Sequence, residues 1–155
     1  MYRYVIPYLY VHKYNRKGFE GIAYFLEYYV ALLILLMVVD TGASITIYIL
    51  SLTVTMTIYE IGYIENNVKA VKIEKKPTLR HDLAELAYLD ERYQSIVLIR
   101  YIIAITLMVL LSYYVNTILL FLLLVSIRLV YYLYNMKYRS GFINRILFTI
   151  LRLLR

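Results

Sequence analysis

Residues Tyr59–Arg80 read YEIGYIENNVKAVKIEKKPTLR, the one long charged interruption in a chain that is otherwise apolar. Two hydrophobic runs precede it and two follow. A lipid core accepts neither irregular loops nor dense charge, so this stretch has to sit outside the bilayer, tethered near its surface at both ends. The remainder of the chain is therefore read outward from it as apolar segments returning to one polar centre.

Composition points the same way. Hydrophobic residues make up 63% of the 155 residues, more than a soluble domain of this size can hide, because small domains bury only about 60–70% of their chain surface. The chain has no cysteine, which excludes disulfides and thiolate metal sites. Its two histidines, His12 and His81, are too far apart to form a local metal motif and read as solvated loop residues. A net charge of +7 is explained by membrane orientation and anionic headgroups, and no nucleic-acid partner is expected. The basic N-terminal arm resembles a signal-peptide n-region, but the apolar run after it is too long, contains Glu27 and lacks a small-residue cleavage site, so it reads as a retained helix. Many of the twenty tyrosines fall near the ends of apolar runs, where an amphipathic ring suits the headgroup layer.

Taken in order, residues 22–39 form the first expected span, 18 residues interrupted only by Glu27 and just long enough for a bilayer core of about 30 Å. Asp40–Gly42 turns the chain, and residues 43–63 return as the second span. The T-V-T-M-T run inside it alternates like a strand, but a length near 20 residues favours a helix, with Thr46, Thr53 and Thr57 on one face as a helix–helix contact. After a central loop, 64–95, spans at 96–115 and 118–134 are expected, joined by a turn at Asn116–Thr117. Within the loop, residues 81–95 carry Leu83, Leu86, Leu89 and Tyr93 at helical spacing and read as an amphipathic helix on the membrane surface. Residues 142–155 read as a basic amphipathic helix too short to cross, with Arg145, Thr149, Arg152 and Arg155 opposite an apolar face. The expected fold is all-α: a single polytopic membrane domain of four spans plus two surface helices.

Lysine and arginine fix the expected orientation. They fall in the N-terminal arm, the central stretch with its flanks, and the C-terminal region, and neither hairpin turn contains one. The positive-inside rule then places both termini and the central loop in the cytoplasm, with the protein in the inner or plasma membrane.

The central stretch has two readings. A basic loop beside an anionic leaflet needs no further cause. The alternative starts from its acids and amides: Glu60, Glu65, Asn66, Asn67 and Glu74 alternate with Lys69, Lys72, Lys75, Lys76 and Arg80. Asn67 and Glu74, seven residues apart, share a face on a continuous helix. Oxygen ligands of this kind suit Mg²⁺, and cationic side chains suit phosphate oxygens, so the cluster has the chemistry of a diphosphate site with room for an apolar tail between the helices.

Asn66-Asn67-x-x-Ala70-x-x-x-Glu74, followed by Lys76-Pro77-Thr78-Leu79-Arg80, resembles the first aspartate-rich motif of the UbiA-type membrane prenyltransferases, an N-D-x-x-D-x-x-x-D run at the cytoplasmic end of the second span. The resemblance covers residues 22–80. It implies a lipid-phosphate site at Asn66, Asn67, Lys72, Lys76 and Arg80, with Mg²⁺ held by Glu74 and Asn67. Asn67 and Ala70 replace two of the family's aspartates, and the chain has about half of the family's spans. The resemblance therefore implies binding of an isoprenoid diphosphate or another anionic lipid headgroup rather than catalysis by this chain alone. It also implies a homo-oligomer or a partner membrane chain. No nucleophile, triad, P-loop or dinucleotide motif is present.

Glu27 and Glu60 are carboxylates inside expected spans, and such groups are functional candidates. Both lie near the expected cytoplasmic boundary, as do Arg100 and Arg128, so an ion pair between the two sets is the structural explanation, and Arg100 is close enough to its span's start to snorkel. Two other function classes fit the same sequence: a non-catalytic scaffold subunit of an envelope or transport complex, and a small oligomeric transporter or channel that depends on Glu27 or Glu60.

Overall fold

The computed structural model describes residues 2–10, 42–70, 72, 81–135 and 141–153. The expected first span at 22–39 with Glu27, together with His12, Glu74, Lys76 and Arg80, lies outside the described residues. The described residues form five α-helices and no strand: α1 (Tyr2–Val5), α2 (Gly42–Glu65), α3 (Leu83–Ser112), α4 (Ile118–Tyr134) and α5 (Gly141–Leu153). A π-helical turn, Asn66–Ala70, continues α2 without a break.

The threonine run is helical, and the reason is visible in its hydroxyls. Thr53, Thr55 and Thr57 each donate to the carbonyl four residues back, at 2.7, 2.8 and 2.6 Å. Each side chain thus satisfies itself on its own helix, a common arrangement where no water is available. Thr57 is fully buried but Thr46 is exposed, so the three threonines expected to share one contact face differ in burial.

The surface helix expected at 81–95 and the span expected from Ile96 are one element. Asp82 caps α3, its carboxylate accepting from the Glu85 backbone N–H at 2.7 Å, and the helix then runs for 30 residues. No glycine or proline interrupts this segment. Its buried residues, Leu89, Ile96, Arg100, Ala104 and Leu111, recur at spacings of seven and four and make one continuous stripe, so nothing separates a surface half from a spanning half.

Two helical segments, Ile45–Lys69 and Leu83–Ser112, are long and apolar enough to cross a membrane. With 17 residues α4 is shorter, about 26 Å by helical rise, at the low end for a bilayer core. Among the described residues two helices are therefore long and apolar enough to cross, where four spans were expected from the whole chain.

Helices α2 and α3 pack antiparallel, and α4, after the turn 113–117, packs along α2; in that turn Asn116 Oδ1 accepts from the Ile118 N–H at 2.9 Å. One core lies between them: Val54, Ile58 and Ile61 of α2 meet Ala104 of α3 and Leu124, Ile127 and Tyr131 of α4. Gly62 makes the α2–α4 approach possible, since a Cβ there would fall 2.2 Å from Tyr131 Cγ. The Tyr131 ring fills that space edge-on to Tyr59, with centroids 5.2 Å apart. A second core joins Ile64, Val68, Leu89 and Ile96 to Tyr4 and Tyr10 of the N-terminal segment. Along α4 runs α5, burying Leu147 and Leu151 and leaving Phe142, Ile143, Ile146 and Phe148 exposed.

Candidate functional site

The polar side chains gather at the end of the bundle where α2 becomes the π turn and α3 begins. Deepest is the pair Glu60–Arg100, 2.9 Å between Oε2 and Nη1, with both side chains 0% exposed. The expected ion pair is present, but Arg100 does not snorkel. Its guanidinium is tied inward, donating to the Tyr4 carbonyl at 2.6 Å and to the Thr57 carbonyl at 3.2 Å, while Glu60 Oε2 also accepts from the Tyr8 N–H at 3.1 Å. A buried charge pair survives only when extra hydrogen bonds offset its desolvation; these backbone groups supply three, and the buried Arg100 Nη2 is left without a hydrogen-bond partner among the described residues. Tyr8 reaches Glu60 from a left-handed backbone conformation, φ 71°, set up by the preceding Pro7 in a turn that usually has glycine at that position. Burial pushes the Tyr8 phenol up to about 12.

One turn further along α2, Glu65 is shared between two cations. Lys69 pairs with its Oε1 and Arg128 of α4 with its Oε2 at 3.2 Å. The Glu65 side chain is only 5% exposed and Lys69 is 49% exposed. Lys69 also lies over the Tyr93 ring, 5.4 Å from its centroid. One carboxylate neutralises one cation, so this corner keeps an excess of positive charge, and Arg128 Nη1 has no hydrogen-bond partner.

Of the expected lipid-phosphate motif, Asn66, Asn67 and Lys72 are among the described residues, and each has different surroundings. Asn67 points inward, where its Nδ2 donates to the Tyr10 hydroxyl and lies 3.4 Å from His81 Nε2. The Tyr10 hydroxyl is in turn 3.0 Å from His81 Nε2. His81 is buried, not solvated as expected, and its Nδ1 lies 3.4 Å from Glu85 Oε2. This cluster fastens the N-terminal segment to the start of α3. Asn66, next along the π turn, is half-buried and its Oδ1 has no hydrogen-bond partner. Lys72 reaches Asp90 of α3 at 2.6 Å, but both side chains are about half exposed, 60% and 48%, and such a pair contributes under about 1 kcal/mol. Glu74, Lys76 and Arg80 lie outside the described residues, and among the described residues no group of three acids or histidines is arranged to hold a metal ion.

Sequence reasoning missed Tyr4, Tyr8, Tyr10 and His81. The His81–Glu85 and Glu65–Lys69 spacings of four were available as helical-pair signals. Nothing distinguished Tyr10 from the other nineteen tyrosines, because its partners are 57 and 71 residues away. No family model matches the chain, and neither a curated protein nor a solved structure matches it.

Proposed function

We propose that this chain is a polytopic membrane protein that binds an anionic lipid headgroup, with an isoprenoid diphosphate as one candidate, at the polar end of its helical bundle. In this reading α2 and α3 cross the membrane, residues 22–39 and α4 complete four spans, and both termini and the 64–95 connection face the cytoplasm. The exposed apolar side chains of α5 then rest in the headgroup layer.

The observation that carries the reading is the sharing of Glu65 between Lys69 and Arg128. That cluster of three side chains has one cation more than it has carboxylates, and the connection that follows it in sequence adds Lys72, Lys75, Lys76 and Arg80. Phosphate oxygens suit such a corner. The UbiA-like motif supports the same ligand class through Lys76 and Arg80, and Glu74 is the carboxylate available to Mg²⁺. Asn67, committed to Tyr10 and His81, is better assigned to holding the fold than to the ligand.

Titration of inorganic diphosphate into the detergent-solubilised full chain tests this, read by calorimetry with and without Mg²⁺. The expected result is saturable binding that weakens about a hundredfold or more when Lys76 and Arg80 are both changed to Ala, since charge-assisted hydrogen bonds contribute about 1.5–3 kcal/mol each. Absence of binding in the parent, or binding unchanged in the double variant, removes the reading. A scaffold subunit is the second reading, and one observation favours it. Only 22% of the apolar window of α3 is buried within the chain, leaving Leu98, Ile102, Ile105 and Val109 on a face that fits a partner helix as well as lipid. Stable co-purification of a second membrane chain supports it, and isolation as a lone monomer counts against it.

A further inference from the structure

Between α3 and α4 lies an open groove of about 900 Å³, floored by Ile58 of α2. Its walls are apolar over most of their length, with Ala104, Ile105 and Met108 on one side and Phe121 and Val125 on the other. Its two ends differ. Near the 113–117 turn it closes on the small hydroxyls of Ser112 and Thr117, and near the polar end of the bundle it reaches Arg128. From Thr117 to Arg128 the groove follows three turns of α4, about 16 Å by helical rise.

An apolar trough inside a membrane bundle with a cation at one end is complementary to an amphiphile of opposite charge. The guanidinium is not neutralised by Glu65 alone, because that carboxylate also serves Lys69, and the Arg128 side chain stays 24% exposed. A neutral ligand leaves the cation excess of this corner uncompensated, and a free phosphate leaves the apolar walls uncovered. We infer that this groove holds one hydrocarbon chain of an anionic lipid, with its phosphate at Arg128 and its tail running toward the 113–117 turn. The inference rests on the headgroup reading above and adds to it the site of the tail.

Native mass spectrometry of the full chain, solubilised with equimolar phosphatidylglycerol and phosphatidylcholine, tests it. One phosphatidylglycerol retained in preference to phosphatidylcholine is expected. Arg128→Gln should reduce that preference about tenfold, in line with loss of a charge-assisted contact. Because Arg128→Gln also disturbs Glu65, Val125→Trp serves as the second variant: Val125 is 49% exposed, so the larger ring fills the groove without entering the core. It should abolish lipid retention and leave inorganic diphosphate binding unchanged. Equal retention of the two lipids, or retention unaffected by Val125→Trp, overturns the groove assignment even where diphosphate still binds. A photoreactive residue at position 125 that attaches to residues 22–39 or to a second copy of this chain, rather than to lipid, overturns it as well. Loss of diphosphate binding in the parent instead removes the headgroup reading.

Discussion

Arg100 is the largest fully buried side chain among the described residues, and what surrounds it shows why a charge is tolerated there. Glu60 supplies the counter-charge, the Tyr4 and Thr57 carbonyls take two donors, and the Tyr8 N–H occupies the carboxylate from the other side. Removing one partner alone strands the other. Glu60→Leu is expected to cost about 3–5 kcal/mol in a denaturant titration, and adding Arg100→Leu to it should recover a large part of that loss. If the single and double variants lose the same stability, the pair is not the unit described. The pairing was legible in the sequence as two carboxylates and two arginines near one boundary. The inward direction of Arg100 was not, because it depends on Tyr4, 96 residues away, whose carbonyl has no sequence signature. The same applies to His81, whose burial comes from Tyr10 and Asn67 rather than from its own polar neighbours.

At the scale of elements, apolar periodicity carried most of the fold, and the exceptions have local causes. The threonine alternation of α2 mimics a strand, but i−4 hydroxyl bonds make it compatible with a helix. Charge density between residues 81 and 95 suggested a surface helix distinct from a span, yet a single stripe from Leu89 to Leu111 continues through it. Asp82→Ala should cost about 0.5–2 kcal/mol by removing the α3 cap, measurable as a lower melting temperature, and an unchanged melt would mean that packing alone fixes the start of α3. Gly62 gave no sign of importance in the sequence. In the fold it lets Tyr131 lie against the α2 backbone, and Gly62→Ala should destabilise the bundle by about 1–3 kcal/mol through overpacking against a ring that is itself wedged beside Tyr59 and Tyr63. The double variant with Tyr131→Leu should recover part of the loss.

For the whole molecule, the central stretch organises the bundle in a different manner from the one its charges first suggested. Part of it is helix, Glu65 and Asn67 are inside, and Lys69 and Lys72 are exposed, each paired with a carboxylate. In the proposed reading the phosphate of the lipid lies at this end of the bundle and its tail in the α3–α4 groove. All of this rests on α3 crossing a bilayer, with Lys72 near one end and Asn116 beyond the other. Because the chain has no cysteine, single-cysteine variants Lys72→Cys and Asn116→Cys can each be labelled in sealed, right-side-out vesicles with a membrane-impermeant maleimide, before and after the membrane is opened. The account predicts that Asn116→Cys reacts from outside and Lys72→Cys only once the vesicles are opened; labelling of both positions from the same side would contradict it.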